Sequence, residues 1–312
     1  MQIVRHIDDP GLNLSASVVT LGNFDGIHLG HQALIGGAVA EAKKLAIPSV
    51  VLTFEPHPLK VLVPERAPKM LLTHKDKMQL LHGLGVDVVV IQNFDLTFAK
   101  LSAADFVRIF LVDQLKARKI WVGRDLRFGH GRQGSVAELE NWGRAQGFGV
   151  TTVDAVVVDG VRVSSSRIRS LVMEGQVEAV APLMGRYHFV SGRVVAGHKR
   201  GREIGFPTAN IAARTEVLPA DGIYATLIEL ADRRLLSVSS IGVNPTFGDG
   251  PRTLESYVLN FAEDIYDEAV RLSFVRRIRE EKKFASVEAL IGQINRDVDD
   301  AETIFRELRL LG

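Results

Sequence analysis

Apolar positions in the first half of the chain follow two periods in alternation. Val18–Gly22 (VVTLG), Val50–Phe54 (VVLTF), Val86–Gln92 (VDVVVIQ), Ile120–Asp125 (IWVGRD) and Gly149–Val153 (GVTTV) are short, β-branched, nearly unbroken apolar runs, the texture of buried strands. Leu34, Ile35, Ala38, Val39, Ala42 and Leu45 recur at helical spacing between the first two runs. Thr73 with Asp76, Ser102 with Asp105, and Ser135 with Glu138 are spaced as capping boxes opening further helices. Strands separated by helices over residues 18 to about 153 predict a parallel sheet covered on both faces. Such sheets take ligands at the carboxyl ends of their strands, here the loops after Leu21, Phe54 and Gly123. Two short helices, around Ser165–Glu174 and Val177–Met184, are expected to complete this half.

After Gly185 the pattern changes. YHFVSGRVV, GIYATLIEL, LLSVSSIGV, TLESYVLNF and AVRLSFV are β-rich runs separated by Gly, Pro, Asn and Asp, with no long helix between them. They predict an antiparallel barrel or sandwich, and the helical spacing from Val287 to Leu310 predicts a closing helix. The expected domains are 1–185 and 186–312.

Composition narrows the function classes. The 312 residues are 46% hydrophobic and 24% charged, as in an ordinary globular chain. Lys+Arg 38 against Asp+Glu 37 gives a net charge of +1, so no global field draws the chain to polyanions, and nucleic acid is not an expected partner. The mixed run Arg276, Arg277, Arg279, Glu280, Glu281, Lys282, Lys283 reads as a solvated face. Cys 0 excludes disulfides, thiolate nucleophiles and all-cysteine zinc sites. Arg5, Asp8, Asp9 and Pro10 interrupt the N-terminal apolar residues and no later run is long enough to cross a bilayer, so the expectation is a cytoplasmic protein without membrane contact.

Two segments carry chemistry. Gly22-Asn23-Phe24-Asp25-Gly26-Ile27-His28-Leu29-Gly30-His31 joins an apolar strand to an amphipathic helix. Glycines admit close backbone approach, and a helix start offers free N–H groups and a dipole favouring anions. His28 and His31, three apart, face the same way and could donate to a phosphate gaining charge under attack. A cap, a core histidine or a zinc pair are the alternatives, although no third and fourth zinc ligand is supplied there. Downstream, Ser164-Ser165-Ser166-Arg167-Ile168-Arg169 offers hydroxyls and guanidiniums suited to a triphosphate, or simply a serine cap with solvated arginines.

In the second half, Gly197-His198-Lys199-Arg200-Gly201-Arg202-Glu203-Ile204-Gly205-Phe206-Pro207-Thr208-Ala209-Asn210 is rich in glycine and base and contains no GxxxxGK[ST] loop. Thr208 and Asn210 fall on one face if extended, and two oxygens there suit Mg²⁺ shared with ATP phosphates. A surface hairpin with solvated charges is the alternative.

GNFDGIHLGH, TFEPHP (Thr53–Pro58), VGRDLRFG (Val122–Gly129) and SSSRIR resemble the N-terminal module of the bacterial bifunctional riboflavin kinase/FAD synthetases, within the HxGH nucleotidyltransferase superfamily. The later glycine-rich segment, with Gly222–Ala225, Ile241–Phe247 and Glu255, resembles the kinase module of the same family. The resemblance implies a Rossmann-like α/β nucleotidyltransferase domain followed by a small antiparallel β-barrel with a C-terminal helix. It implies conversion of riboflavin to FMN and of FMN to FAD, with ATP as co-substrate and Mg²⁺ as cofactor. By the same resemblance, His28, His31, Gly22, Asn23 and Gly30 are placed at ATP phosphates, and Ser164, Ser165, Ser166 and Arg169 at the ATP tail. Asp25, Phe54, Asp125 and Phe128 are placed near flavin or adenine, Gly201 and Gly205 at the second ATP, Thr208 and Asn210 at Mg-ATP, and Glu255 as catalytic base. Ser166 stands where the family usually has Thr. Tyr257, Asn260 and Asp267 stand where it usually has His, Asp and Gly. These departures keep two rivals open: an adenylyltransferase for another mononucleotide with a decayed barrel, and a flavin-binding sensor without turnover.

Overall fold

The computed structural model describes residues 1–197, 201, 204–243 and 252–310. The chain divides into two compact units, one of Met1–Lys69 with His74–Ser164, the other of Met70–Thr73 with the residues from Ser165 on.

The first unit is built on β1 (Gln2–Arg5), β2 (Ser17–Leu21), α1 (Leu29–Leu45), β3 (Ser49–Glu55), α2 (Pro58–Leu62), α3 (His74–Gly83) and β4 (Val88–Asn93). It continues through α4 (Ala103–Asp105), which runs on as a π-helix over Phe106–Gln114, β5 (Ala117–Gly123), the short β6 (Arg127–Phe128) and β7 (Gly134–Ser135), and α5 (Val136–Gln146). β8 (Gly149–Val153) and a hairpin of β9 (Val157–Val158) and β10 (Val161–Arg162) complete it. β1 falls in a stretch whose charged residues hide it in the sequence, and only one of its four residues is buried.

The six main strands pair in parallel in the order β1-β4-β3-β2-β5-β8. From β2 the chain steps outward through β3 and β4 on one side, then returns to add β5 and β8 on the other. The reversal falls between β2 and β5, the switch point where sheets of this kind take ligands at the carboxyl ends of their strands. All five residues of β2 are buried, as its unbroken apolar run requires. One sheet face packs Val19, Leu52, Val90 and Ile120 against Phe106, Phe110 and Leu139; the other packs Val18 and Trp121 beneath Ala38 and Ala42 of α1. Ser135 and Glu138 form the full capping box of α5, and Ser102 caps α4 by accepting from Asp105 N at 3.0 Å.

The second unit opens with α6 (Ser165–Met173) and α7 (Ala181–Met184). A closed six-stranded barrel follows: β11 (His188–Val195), β12 (Thr208–Ala213), β13 (Gly222–Glu229), β14 (Arg234–Gly242), β15 (Thr253–Val258) and β16 (Ala269–Arg279), ordered β11-β12-β15-β14-β13-β16. Every pairing is antiparallel, and β16 closes on β11. α8 (Val287–Glu307) covers one side through Ala301, Ile304 and Phe305, packed on Ile223, Ala225 and Leu227. The spacing groups Val177 with the first half, but in the structure it lies in the barrel core with Tyr224, Ile228 and Phe274. Periodicity shows that such a side chain is buried; it does not show against what.

The mixed charge run is not simply a solvated face. Arg279 is 18% exposed and grips Asp297 of α8 with two bonds, Nε–Oδ1 2.8 Å and Nη2–Oδ2 2.7 Å. Gln293 donates to Asp297 at 2.8 Å and accepts from Lys282 at 2.8 Å. Arg276 also reaches α8, bonding Glu307 at 2.9 Å, whereas Arg277 turns to the Asp221 carbonyl. Asn260 and Asp267 sit in turns at φ of 54° and 62°, the left-handed region that Asn and Asp tolerate better than most residues. Their departure from the family pattern is thus accommodated by backbone conformation. Among the described residues, no helix is long and apolar enough to cross a membrane.

Candidate active sites

The loop from Gly22 to His28 leaves β2 at the switch point. Gly22 N still donates to Leu52 O, 3.1 Å, extending the β2–β3 ladder. The backbone then becomes left-handed at Phe24 (φ 49°), Gly26 (85°) and Ile27 (39°). For Phe and Ile this costs about 1–3 kcal/mol each, and such outliers persist where surrounding structure holds them, often around ligands. Burial holds the side chains, Phe24 at 2% exposure and Ile27 at 1%. The Asn23 carbonyl accepts from Lys77 Nζ at 3.0 Å and from Thr53 Oγ1 at 3.4 Å, and Gln32 Nε2 donates to Ile27 O at 2.9 Å. A bond from a charged donor contributes about 1.5–3 kcal/mol, enough to offset one such residue.

His28 caps α1. Its Nδ1 accepts from His31 N at 3.3 Å, which leaves the ring proton on Nε2 as a donor. The two imidazoles stack, centroids 3.7 Å apart and 16° from parallel, with Phe24 edge-on to His31 at 5.3 Å. Burial, then His28, then the Lys77 ammonium push the His31 pKa well below its ordinary value, so the ring is neutral at pH 7. His31 Nδ1 is buried without a hydrogen-bond partner. A stacked pair whose neutral member, His31, carries an unsatisfied ring nitrogen at a helix start suits phosphate better than a structural cap does.

The TFEPHP segment meets this loop. Asn23 Nδ2 lies 3.1 Å from His57 Nε2, and His57 Nδ1 accepts from Leu59 N at 3.2 Å. Glu55 pairs with His74 at 2.8 Å. Asp25 is buried and Phe54 half-buried, the latter packed on Phe94 and Phe98. Asp125, after β5, is exposed and bonded to Arg162 at 2.6 Å. Phe128 is buried in the core of the first unit, against Phe106 and Trp142. Ser164 ends the first unit, whereas Ser165, Ser166 and Arg169 start α6 of the second.

The barrel carries the second constellation. Ala209, Ile211, Leu254 and Val258 pack in its core, so by strand alternation Thr208, Asn210, Thr253, Glu255 and Tyr257 share the outer face. Register sets Asn210, Glu255 and Ser240 side by side on three adjacent strands. Thr208 Oγ1 donates to Glu255 Oε2 at 3.0 Å, and Thr253 Oγ1 to Oε1 at 3.4 Å. Glycine is required close by, since a Cβ at Gly197 would fall 2.2 Å from Asn210 Nδ2 and one at Gly201 would fall 2.3 Å from Phe206 O. Gly205 adopts φ 89°. His198–Arg200, Arg202, Glu203 and Asn244–Phe247 lie outside the described residues.

Lys77 and His57 enter the first site with no role assigned from the sequence. Lys77 offers one faint signal, a lysine four residues before the buried Leu81 and hence on that face of α3.

A switch-point loop with a histidine pair on one unit, and a hydroxyl–carboxylate face on a small closed barrel on the other, define a two-module nucleotide-dependent transferase. The FAD synthetase family model matches residues 12–167, and the riboflavin kinase model matches residues 184–305. A relative from Escherichia coli (strain K12), a bifunctional riboflavin kinase/FMN adenylyltransferase, is 38% identical over 311 residues, 98% of each chain. One of the same name from Pseudomonas fluorescens is 38% identical, covering 97% of this chain and 98% of its own. A crystal structure described as a macrolide-efflux protein from Streptococcus pneumoniae superposes with TM-score 0.87 at 31% identity, over 97% of this chain and 99% of that one. The chain belongs to the bifunctional riboflavin kinase/FMN adenylyltransferase family.

Proposed function

We propose that the chain phosphorylates riboflavin to FMN on the barrel and adenylylates FMN to FAD on the α/β unit. One observation carries this reading: the FAD synthetase match lies almost wholly on the first unit and the riboflavin kinase match on the second.

In adenylyl transfer, an FMN phosphate oxygen attacks the α-phosphorus of ATP, the bond to the bridging oxygen breaks, and pyrophosphate leaves. The anionic nucleophile needs no base, so the protein's task is charge stabilisation. His28, donating from Nε2, and neutral His31 face the α-phosphate, while Gly22, Asn23 and Gly30 let the phosphates approach the α1 start. Ser164, Ser165, Ser166 and Arg169 are proposed polyphosphate ligands. Asp25, Phe54, Asp125 and Phe128 are proposed nucleotide and flavin contacts.

In the kinase reaction, the ribityl hydroxyl attacks the γ-phosphorus, Glu255 takes its proton and ADP leaves. Gly201 and Gly205 are proposed to admit the phosphates. Thr208 and Asn210 offer hard oxygens of the kind Mg²⁺ shares with phosphates, so the residues present fit that ion, which would neutralise phosphate charge.

The test supplies the full chain with riboflavin, ATP and Mg²⁺ and separates the flavins over time. FMN and then FAD are expected, with nicotinamide mononucleotide a poor competitor. Glu255→Gln should lower FMN formation about 10²- to 10⁴-fold, the worth of a general base, and leave FAD formation from FMN unchanged. His31→Ala should lower FAD formation on the order of 10²- to 10³-fold and spare the kinase. Flavin binding without ATP consumption would establish a sensor instead.

A further inference from the structure

Lys77 does not belong to any motif of the first site, yet its ammonium is placed at the turning point of the loop. Nζ is 3.0 Å from the Asn23 carbonyl oxygen and 3.1 Å from Thr53 Oγ1, and Thr53 Oγ1 donates to that same carbonyl at 3.4 Å. This carbonyl belongs to the peptide joining Asn23 to Phe24, whose orientation sets the left-handed φ of Phe24. Turning that peptide over would redirect everything from Asp25 to His28. The other side of Asn23 is fixed as well, through Nδ2 to His57.

The charges around the clamp are consistent with a cation held in place. Burial drives the Lys77 pKa down, and Asp25 and Glu55 oppose that effect. Glu55 is bonded in turn to His74. Lys77 reaches His31 electrostatically, as does His28. A lysine serving only to pack α3 would need neither the carbonyl nor the two carboxylates.

We infer that Lys77 is a positioning residue for adenylyl transfer: its ammonium locks the Asn23–Phe24 peptide and so holds the loop that leads to His28 and His31. The inference rests on the adenylyl-transfer reading of this site. Lys77 acts through the loop.

The test is Lys77→Met in the full chain, which keeps the length of the side chain and removes donors and charge. Misplacing reacting groups by about 1 Å costs on the order of 10²-fold, and that is the expected fall in kcat/KM for FAD formation from FMN. FMN formation from riboflavin should stay at the wild-type rate and so report a folded protein. Thr53→Val, which breaks the relay to the carbonyl, should be non-additive with Lys77→Met, the double variant being no worse than the lysine variant alone. The second readout is the NMR chemical shifts of the His28 and His31 rings in histidine-labelled protein. Release of the Asn23–Phe24 peptide should shift both rings in Lys77→Met and, through the same carbonyl, in Thr53→Val. Unmoved ring signals in Lys77→Met overturn the inference, whether or not the wild-type protein makes FAD. So does a wild-type rate of FAD formation in that variant. Failure of the wild-type chain itself to make FAD overturns the adenylyl-transfer reading and leaves the ring signals to decide the role of Lys77.

Discussion

His188 makes the barrel sensitive to acid. It lies at the start of β11, 1% exposed, stacked on Phe274 and with Nε2 3.3 Å from the Val217 carbonyl. Burial pushes its pKa down from 6.5 to about 4; the Val217 carbonyl opposes this and Arg186 adds to it. In the unfolded chain the ring titrates at its ordinary value, so between pH 6.5 and about 4 the unfolded state holds one more proton than the folded state. Stability is complete above pH 6.5 and falls as acid is added across that window, at up to 1.36 kcal/mol per pH unit, or about 3 kcal/mol in all. Both tryptophans, Trp121 and Trp142, lie in the first unit and do not report on the barrel. The assay is therefore urea denaturation followed by hydrogen-exchange mass spectrometry of β11–β16, at pH values from 7 to 4, corrected for the intrinsic exchange rate. His188→Phe keeps the shape and cannot titrate. It should lose about 1–3 kcal/mol at pH 7, because the Val217 carbonyl is left unpaired, and should lack the wild-type fall between pH 6.5 and 4. Equal pH dependence in the two proteins, or a wild-type barrel that gains stability on acidification, would refute the reasoning.

Two further outcomes concern the same unit. Asp297→Ala leaves the Arg279 guanidinium without its buried partner, a loss expected to cost about 3–5 kcal/mol and to free α8, seen as fast exchange over Val287–Glu307. Asp267→Gly relieves a left-handed φ, and should raise barrel stability by up to about 1 kcal/mol while leaving the rate of FMN formation within twofold, measured by flavin chromatography.

By itself the sequence determined the element types and the chemistry on offer. Unbroken runs such as VVTLG and VVLTF had to be interior parallel strands because both sheet faces are covered, and the β-rich runs after Gly185, with turn residues and no long helix between them, pointed to antiparallel structure. The motifs carrying His28, His31, Thr208 and Asn210 were open to a local reading, since a helix start or an extended strand fixes where neighbouring residues point, with a plain cap or hairpin as the rival; Glu255 entered through the family resemblance. Only the tertiary structure decided what met what. Strand order, which puts β2 and β5 side by side, depends on pairings between residues about 100 positions apart, as in Thr20 with Trp121. The same holds for Val177 in the barrel core, for Arg279 on Asp297 and for Lys77 on Asn23. Periodicity marks a side chain as buried or a lysine as near an apolar face. It carries no information on the partner, because distant pairings depend on the global packing of the chain and leave no trace in local spacing.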